Sequence, residues 1–265
     1  MKRALTLVLL TIVLLLNGVL LQAQDSASIS QDEDRARSDY LFQYANYAEA
    51  YQAYKTAKET YQKFSTITAQ KEAVEKTKAV LILRAEVLRT YLQRLKLRLI
   101  SKRQLDSGLR ESEVGKLEAT QAFLETHKAN VEKINSLAEV NAESGRLERE
   151  ANSISDLSYE VLGYVLIGEI QGLEVRARLL LEEQQKATEA KDRSFEEGVS
   201  EINRKLTQVR VTADRANQIL ADYQSGKTKT ATKGQAVYQA VQAEMRRAKT
   251  TLKEATQLIK ELKNL

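Results

Sequence analysis

The sequence predicts an all-α fold, and three observations predict it. Proline is absent from all 265 residues, where average usage would place about a dozen, so no residue type that breaks helices outright interrupts the chain. Apolar residues recur every three or four positions through most of its length, the period of a helix face rather than of a strand. The third observation is a row of aromatic rings. Tyr40, Tyr44, Tyr47, Tyr51, Tyr54 and Tyr61 follow at spacings of 4, 3, 4, 3 and 7, with Phe64 extending the row, which keeps them along one side of a helix. The architecture expected is an elongated helical bundle of coiled-coil-like hairpins, about six helices and no sheet.

Taken in order, Met1 to Ala23 reads as a secretory leader. Lys2 and Arg3 open it, Ala4 to Leu16 is an apolar run of 13 residues, and Leu21-Gln22-Ala23 resembles a cleavage site. The competing reading is a retained anchor, since with Asn17 and Gly18 tolerated the run reaches Leu21. Lipid attachment to cysteine is excluded because the chain has none. Residues 24–38 are polar and acidic, with Asp32, Glu33 and Asp34 in succession, and read as a fraying tail. Ser30 and Glu33 have capping-box spacing, so the first helix is expected to begin between Ser30 and Asp39 and to carry the tyrosine row to about Lys63. Ser65 to Thr68 is hydroxyl-rich and reads as a turn capping a second helix over about Ala69 to Gln104. That helix has a wide apolar band and belongs near the centre of the bundle.

Asp106-Ser107-Gly108 predicts a turn and a third helix over about Glu111 to Ile134. Ser136 and Glu139 form a capping box for a fourth helix of more than 40 residues, on the order of 60 Å long at 1.5 Å per residue. A bend around Asn152 to Ser158 is the alternative. Gly163, Gly168 and Gly172 within it predict a close helix crossing. Helix five carries Phe195, Val199, Ile202, Leu206, Val209, Ala213, Ala216, Leu220 and Tyr223. Ser225 to Gly234 is a loop, and helix six over Gln235 to Leu262 carries Val237, Val241, Met245, Ala248, Leu252, Ala255, Ile259 and Leu262. The short connection makes these two an antiparallel hairpin. The segments expected are therefore a leader (1–23), an acidic tail (24–38), an N-terminal bundle (39–170) and a C-terminal bundle (171–265) that share the fourth helix.

Composition narrows the chemistry. Without cysteine there is no disulfide or thiolate metal site, so stability has to come from packing. The single histidine, His127, has Phe123, Leu124, Asn130 and Val131 three and four positions away, so no carboxylate on its own helix completes a metal site. Ser225-Gly226-Lys227-Thr228 matches the end of a phosphate-binding loop, but Ala221 holds the first glycine position and no strand precedes it. No serine sits in a Gly-x-Ser-x-Gly setting. No catalytic residue, cofactor or metal is assigned, and the expectation is a protein without chemistry of its own.

Net charge is +5, or 5 − 2 = +3 without Lys2 and Arg3. From Gly226 to Leu265 nine basic residues face three glutamates, a local +6 that leaves 3 − 6 = −3 elsewhere in the mature chain. A second basic stretch includes Arg94, Lys96, Arg98, Lys102 and Arg103. Such stretches are either solvated helix edges or contacts for a membrane surface, cell-wall polymer or nucleic acid.

Ser38-Asp39-Tyr40-Leu41, the tyrosine series with Ala57-Lys58, and Ala79 to Leu95 together resemble uncharacterised exported all-helical proteins of small-genome candidate-phyla bacteria. The resemblance covers mainly Ser38 to Leu99; it implies export and helicity and transfers no functional residue.

The candidate interaction surface is thus Tyr40, Tyr44, Tyr47, Tyr51, Tyr54 and Tyr61 with Arg94, Lys96, Arg98, Lys102 and Arg103. The tyrosines serve either as a packing face or as an exposed recognition stripe. The function expected is that of an exported scaffold with a protein partner in the envelope or on the surface. An exported holdase chaperone and a binder of anionic polymers are the alternatives. A homo-oligomer is open, because a heptad row serves equally within one chain or between chains.

Overall fold

A computed structural model describes the backbone of residues 2–188, 193–227 and 233–262, with side chains from residue 28 within those ranges. The expected leader therefore falls where side chains are not described. Among the described residues the fold is all-helical, with six helices and no strand. They are α1 (Lys2–Phe64), α2 (Ile67–Ile100), α3 (Ser107–Glu132), α4 (Leu137–Ala187), α5 (Arg193–Gln224) and α6 (Gly234–Leu262). Among the same residues no helix is long and apolar enough to cross a membrane. Contacts divide the chain into two units, one of Met1–Ser101 with Lys128–Val140, the other of Lys102–His127 with Asn141–Leu265.

The first unit is built on the α1–α2 hairpin. Ser65 ends α1 by turning left-handed, at φ 50°, while its amide donates to the Tyr61 carbonyl at 2.8 Å. Thr66 then starts α2 by accepting from the Ala69 amide at 3.2 Å. The expected turn is thus present, two residues long. The helices run antiparallel, with the Tyr40 ring 5.8 Å from Tyr91 and Glu33 3.7 Å from Arg98.

The acidic tail is a correction: residues 28–38 are helical, and no new helix starts between Ser30 and Asp39. Neither glycine nor proline occurs from residue 19 to residue 107, so nothing local stops the helix. α2 supplies a packing surface that far down, burying Ala36 and pairing with Glu33. Residues 128–140 complete the unit. Lys128 donates to Glu86 at 2.6 Å, and Val131, Ile134 and Val140 are buried. Ser136 and Glu139 form the expected capping box: the Glu139 amide donates to Ser136 Oγ at 3.3 Å, and the Ser136 amide to Glu139 Oε2 at 3.2 Å.

In the second unit α4 touches every other helix. Lys116 of α3 meets Glu160, and Leu220 of α5 packs on Gly163. At the start of α6 the Gly234 amide donates to Asp156 at 2.9 Å. α5 and α6 form the expected antiparallel hairpin, with Gly198 against Leu262 and Lys205 2.8 Å from Glu254. All eight positions expected to face inward on α6 are buried. On α5 Val199 and Tyr223 are only half-buried, while Thr212 joins the buried face. A Schellman closure ends α5: Gly226 (φ 68°) donates to Tyr223 at 3.1 Å and Lys227 to Asp222 at 2.9 Å.

Boundaries shift where caps decide them. Asp106 Oδ1 accepts from the Leu109 amide at 2.8 Å, so α3 begins at Ser107 rather than near Glu111, and α2 stops at Ile100. α4 runs 51 residues without interruption, and Ser158 in its middle bonds back to the Ile154 carbonyl at 2.7 Å.

The glycines of α4 do admit close neighbours, but not a crossing helix at each point. Gly163 meets the Leu220 side chain, whereas Gly168 and Gly172 receive the connecting segment at Lys102, Gln104 and Leu105. A Cβ on Gly168 would lie 2.6 Å from Lys102 Cβ, against 3.6 Å from Gln104 Oε1 for Gly172. Gly168→Ala should therefore lose about 1–3 kcal/mol to overpacking, less the gain of about 1 kcal/mol in helix propensity that Gly172→Ala keeps in full. In thermal denaturation Gly168→Ala should melt below the parent and Gly172→Ala at or above it; the reverse order would contradict this packing.

Candidate functional site

Burial along α1 repeats every seven residues. Ala36, Gln43, Ala50 and Ala57 are buried or half-buried, and so are Tyr40, Tyr47, Tyr54 and Tyr61. Asp34, Leu41, Ala48 and Lys55 are exposed, as are Arg37, Tyr44, Tyr51 and Lys58. A strict seven-residue repeat holds one stripe of a helix against its neighbour over many turns. Small alanines on that stripe let α2 come close, and four tyrosines wall its edge.

The tyrosine row is thereby divided. Tyr40, Tyr47, Tyr54 and Tyr61 are packing residues, while Tyr44 (53% exposed) and Tyr51 (41%) point outward beside Leu41 (54%). Inner rings support outer ones: Tyr40 lies 6.1 Å from Tyr44, and Tyr51 lies 5.9 Å from Tyr47 and 6.0 Å from Tyr54. Such offset pairs fix ring positions at little further entropic cost. Phe42 is exposed on a different side of α1, and Phe64 and Ile67 are exposed at the turn into α2.

The basic half of the predicted surface is arranged differently. No residue from 80 to 102 is exposed, so Arg94, Lys96 and Arg98 lie along a covered helix. Arg98 pairs with Glu33 at 3.7 Å, and Lys96 is also engaged. Arg94 is half-buried, its Nε buried without a hydrogen-bond partner. Lys102, in the second unit, pairs with Glu169 at 3.3 Å; Arg103 is exposed and engaged. Arg98 and Lys102 thus act as structural charges, Arg94 and Lys96 are half-buried on α2, and Arg103 remains exposed.

The second unit holds a polar cluster that sequence reasoning missed. Glu113, only 2% exposed, accepts from Lys116 Nζ at 2.8 Å and from Gln224 Nε2 at 3.0 Å. Glu160 accepts from the same two groups, at 2.9 and 2.5 Å. Two carboxyls thus share one ammonium and one amide across α3, α4 and α5. Burial first, then the adjacent Glu160, pushes the Glu113 carboxyl from 4.5 up to about 7, against the pull of Lys116. Burial, with Glu113 and Glu160 nearby, also raises the Tyr164 phenol, whose hydroxyl is buried without a partner. The signal was available: 113, 117, 120, 124, 127, 131 and 134 alternate by four and three, which puts Glu113 and His127 on the apolar row of α3.

His127 is buried, and its Nδ1 lies 2.9 Å from Glu143 Oε1 on α4. Its ring stacks beside Phe123, over which Arg146 sits at 5.6 Å. Its own helix offers no carboxylate, as read from the sequence, but α4 does. Among the described residues no group of three or more potential ligands could hold a metal ion. Ser225, Gly226 and Lys227 close the end of α5 in place of opening a helix, and Thr228 lies outside the described residues. Comparison with protein-family models, curated proteins and solved structures gives no match.

The Glu113 carboxyl titrates higher in the folded chain than in the unfolded one. Its stabilising contribution is full below about pH 4.5 and declines as pH rises, reaching a floor above about pH 7. Glu113→Gln removes that decline. Relative to the parent it should be near neutral at pH 5 and more stable at pH 8 by about 2–3 kcal/mol, read by urea denaturation at both pH values. An unchanged pH dependence would show that Glu113 is ionised throughout.

Proposed function

We propose that this is an exported, non-enzymatic interaction protein of the cell envelope or surface, which presents the outer face of α1 to a protein partner. One observation carries the reading: Leu41, Tyr44 and Tyr51 are exposed on a single stripe, backed by half-buried tyrosines that hold them in place. Aromatic side chains on a rigid scaffold supply large contact area for little loss of freedom. The stripe needs no catalytic group, and α2 and the rest of the first unit serve to keep it straight. Export rests on the leader read at Met1 to Ala23. The polymer-binding alternative is weakened on α2, where Arg94, Lys96 and Arg98 are half-buried and Arg98 pairs with Glu33; on α6, Arg246, Arg247, Lys249, Lys253 and Lys260 are exposed and keep it as the second reading.

Cross-linking on intact producing cells tests both parts of the proposal. The parent chain should be labelled by a reagent that does not enter the cytoplasm and should give one defined cross-linked product. Tyr44→Glu with Tyr51→Glu should abolish that product without loss of the chain. Capture that weakens steeply between low and moderate salt would favour a polyanion, and broad suppression of aggregation would favour a holdase. A chain protected from the reagent would overturn export.

A further inference from the structure

We infer that the partner seated on this face is a second copy of the same chain, packed antiparallel along α1. The inference rests on the interaction reading above and names its occupant. In heptad terms, Asp34, Leu41, Ala48 and Lys55 take one seam position and Arg37, Tyr44, Tyr51 and Lys58 the other, all of them exposed. Two such seams brought together antiparallel pair the first position of one helix with the second of its partner. With the two-fold axis near residue 46, Leu41 meets Tyr51 of the second copy and Tyr44 meets Ala48. Large side chains face small or medium ones in turn, and identical tyrosines do not collide.

Charge selects this orientation. Residues 31–39 carry four acids and two arginines, and with Glu33 already paired to Arg98 the remaining charges sum to 2 − 3 = −1. Residues 55–63 carry three lysines and Glu59, a sum of 3 − 1 = +2. Antiparallel pairing sets each acidic segment against a basic one, with Asp34 opposite Lys58 at the seam. Parallel pairing would oppose like segments at both ends. Arg37 opposite Lys55 is the one like-charge seam pair, and both long side chains can turn outward to water. The seam from Asp34 to Lys58 spans about 36 Å at 1.5 Å per residue, with its apolar part central and its charges at the ends, as in a helical interface with a dry core and polar rim.

The chain contains no cysteine, which permits a geometric test on the full-length protein. Light scattering should give twice the mass of one chain as produced, and Tyr44→Glu with Tyr51→Glu should return it to the single mass with helical circular dichroism unchanged. On mild oxidation Ala45→Cys, beside the axis, should link to itself. Ser38→Cys alone should not, whereas Ser38→Cys combined with Gln52→Cys should. A dimer indifferent to the two glutamates, or one in which Ser38→Cys links to itself, would overturn the proposal. So would a parent of single mass at 100 µM. If that single-mass parent still lost a cross-linked cell partner on Tyr44→Glu with Tyr51→Glu, the interaction reading would stand and the second copy alone would fall. If the cell cross-link were also unaffected, both would fall.

Discussion

The seven-residue repeat of burial along α1 is the constraint on which the first unit depends. Ala36, Ala50 and Ala57 give α2 a shallow stripe to lie on, and the tyrosines at 40, 47, 54 and 61 close its edge. Because every inward position returns after seven residues, the outward positions do too, and they hold Leu41, Tyr44, Ala48 and Tyr51 in line. A shallow hairpin of this kind buries few large side chains of α1, so its apolar content is left partly outside. The packing that makes the helix straight is therefore also what makes its outer face available.

The second unit is stabilised in another way. Leucine, isoleucine and valine fill most of the contact rows of α3 to α6, and polar groups enter those rows only at defined points. Glu113 and His127 each occupy a row position on α3 and each finds a partner on α4, Glu160 through Lys116 and Glu143 directly. A buried carboxyl without such partners would cost several kcal/mol. With them it fixes the register of α3 against α4, since sliding by one turn would part Lys116 from Glu160 and His127 from Glu143. Gly168 makes a similar demand by geometry, leaving room for Lys102 and Leu105 where any side chain would intrude.

Much of this was legible in the chain itself. The apolar period located six helices, and on α6 it identified each expected inward residue; the Ser136 and Glu139 box was readable from its spacing. Less legible were features decided by distant partners. The helical state of residues 28–38 depends on α2 reaching far enough to bury Ala36, which local polarity cannot reveal. Spacings of four and three placed the six tyrosines near one face, yet two heptad lines satisfy that spacing. Only the alanines at 36, 50 and 57 tell which line packs inward. The basic run of α2 reads as surface from charge alone, whereas Arg98 is held by Glu33 of α1 and its neighbours are half-buried, which only the packed hairpin reveals.

The division of α1 into an inner and an outer stripe is tested most directly by scanning single cysteines through residues 33–61 and measuring alkylation rates on dilute protein, below any self-association. Reactivity should rise and fall every seven residues, with minima at 36, 43, 50 and 57 and high rates at 41, 44, 48 and 51. A flat profile, or minima at the latter four positions, would contradict the account.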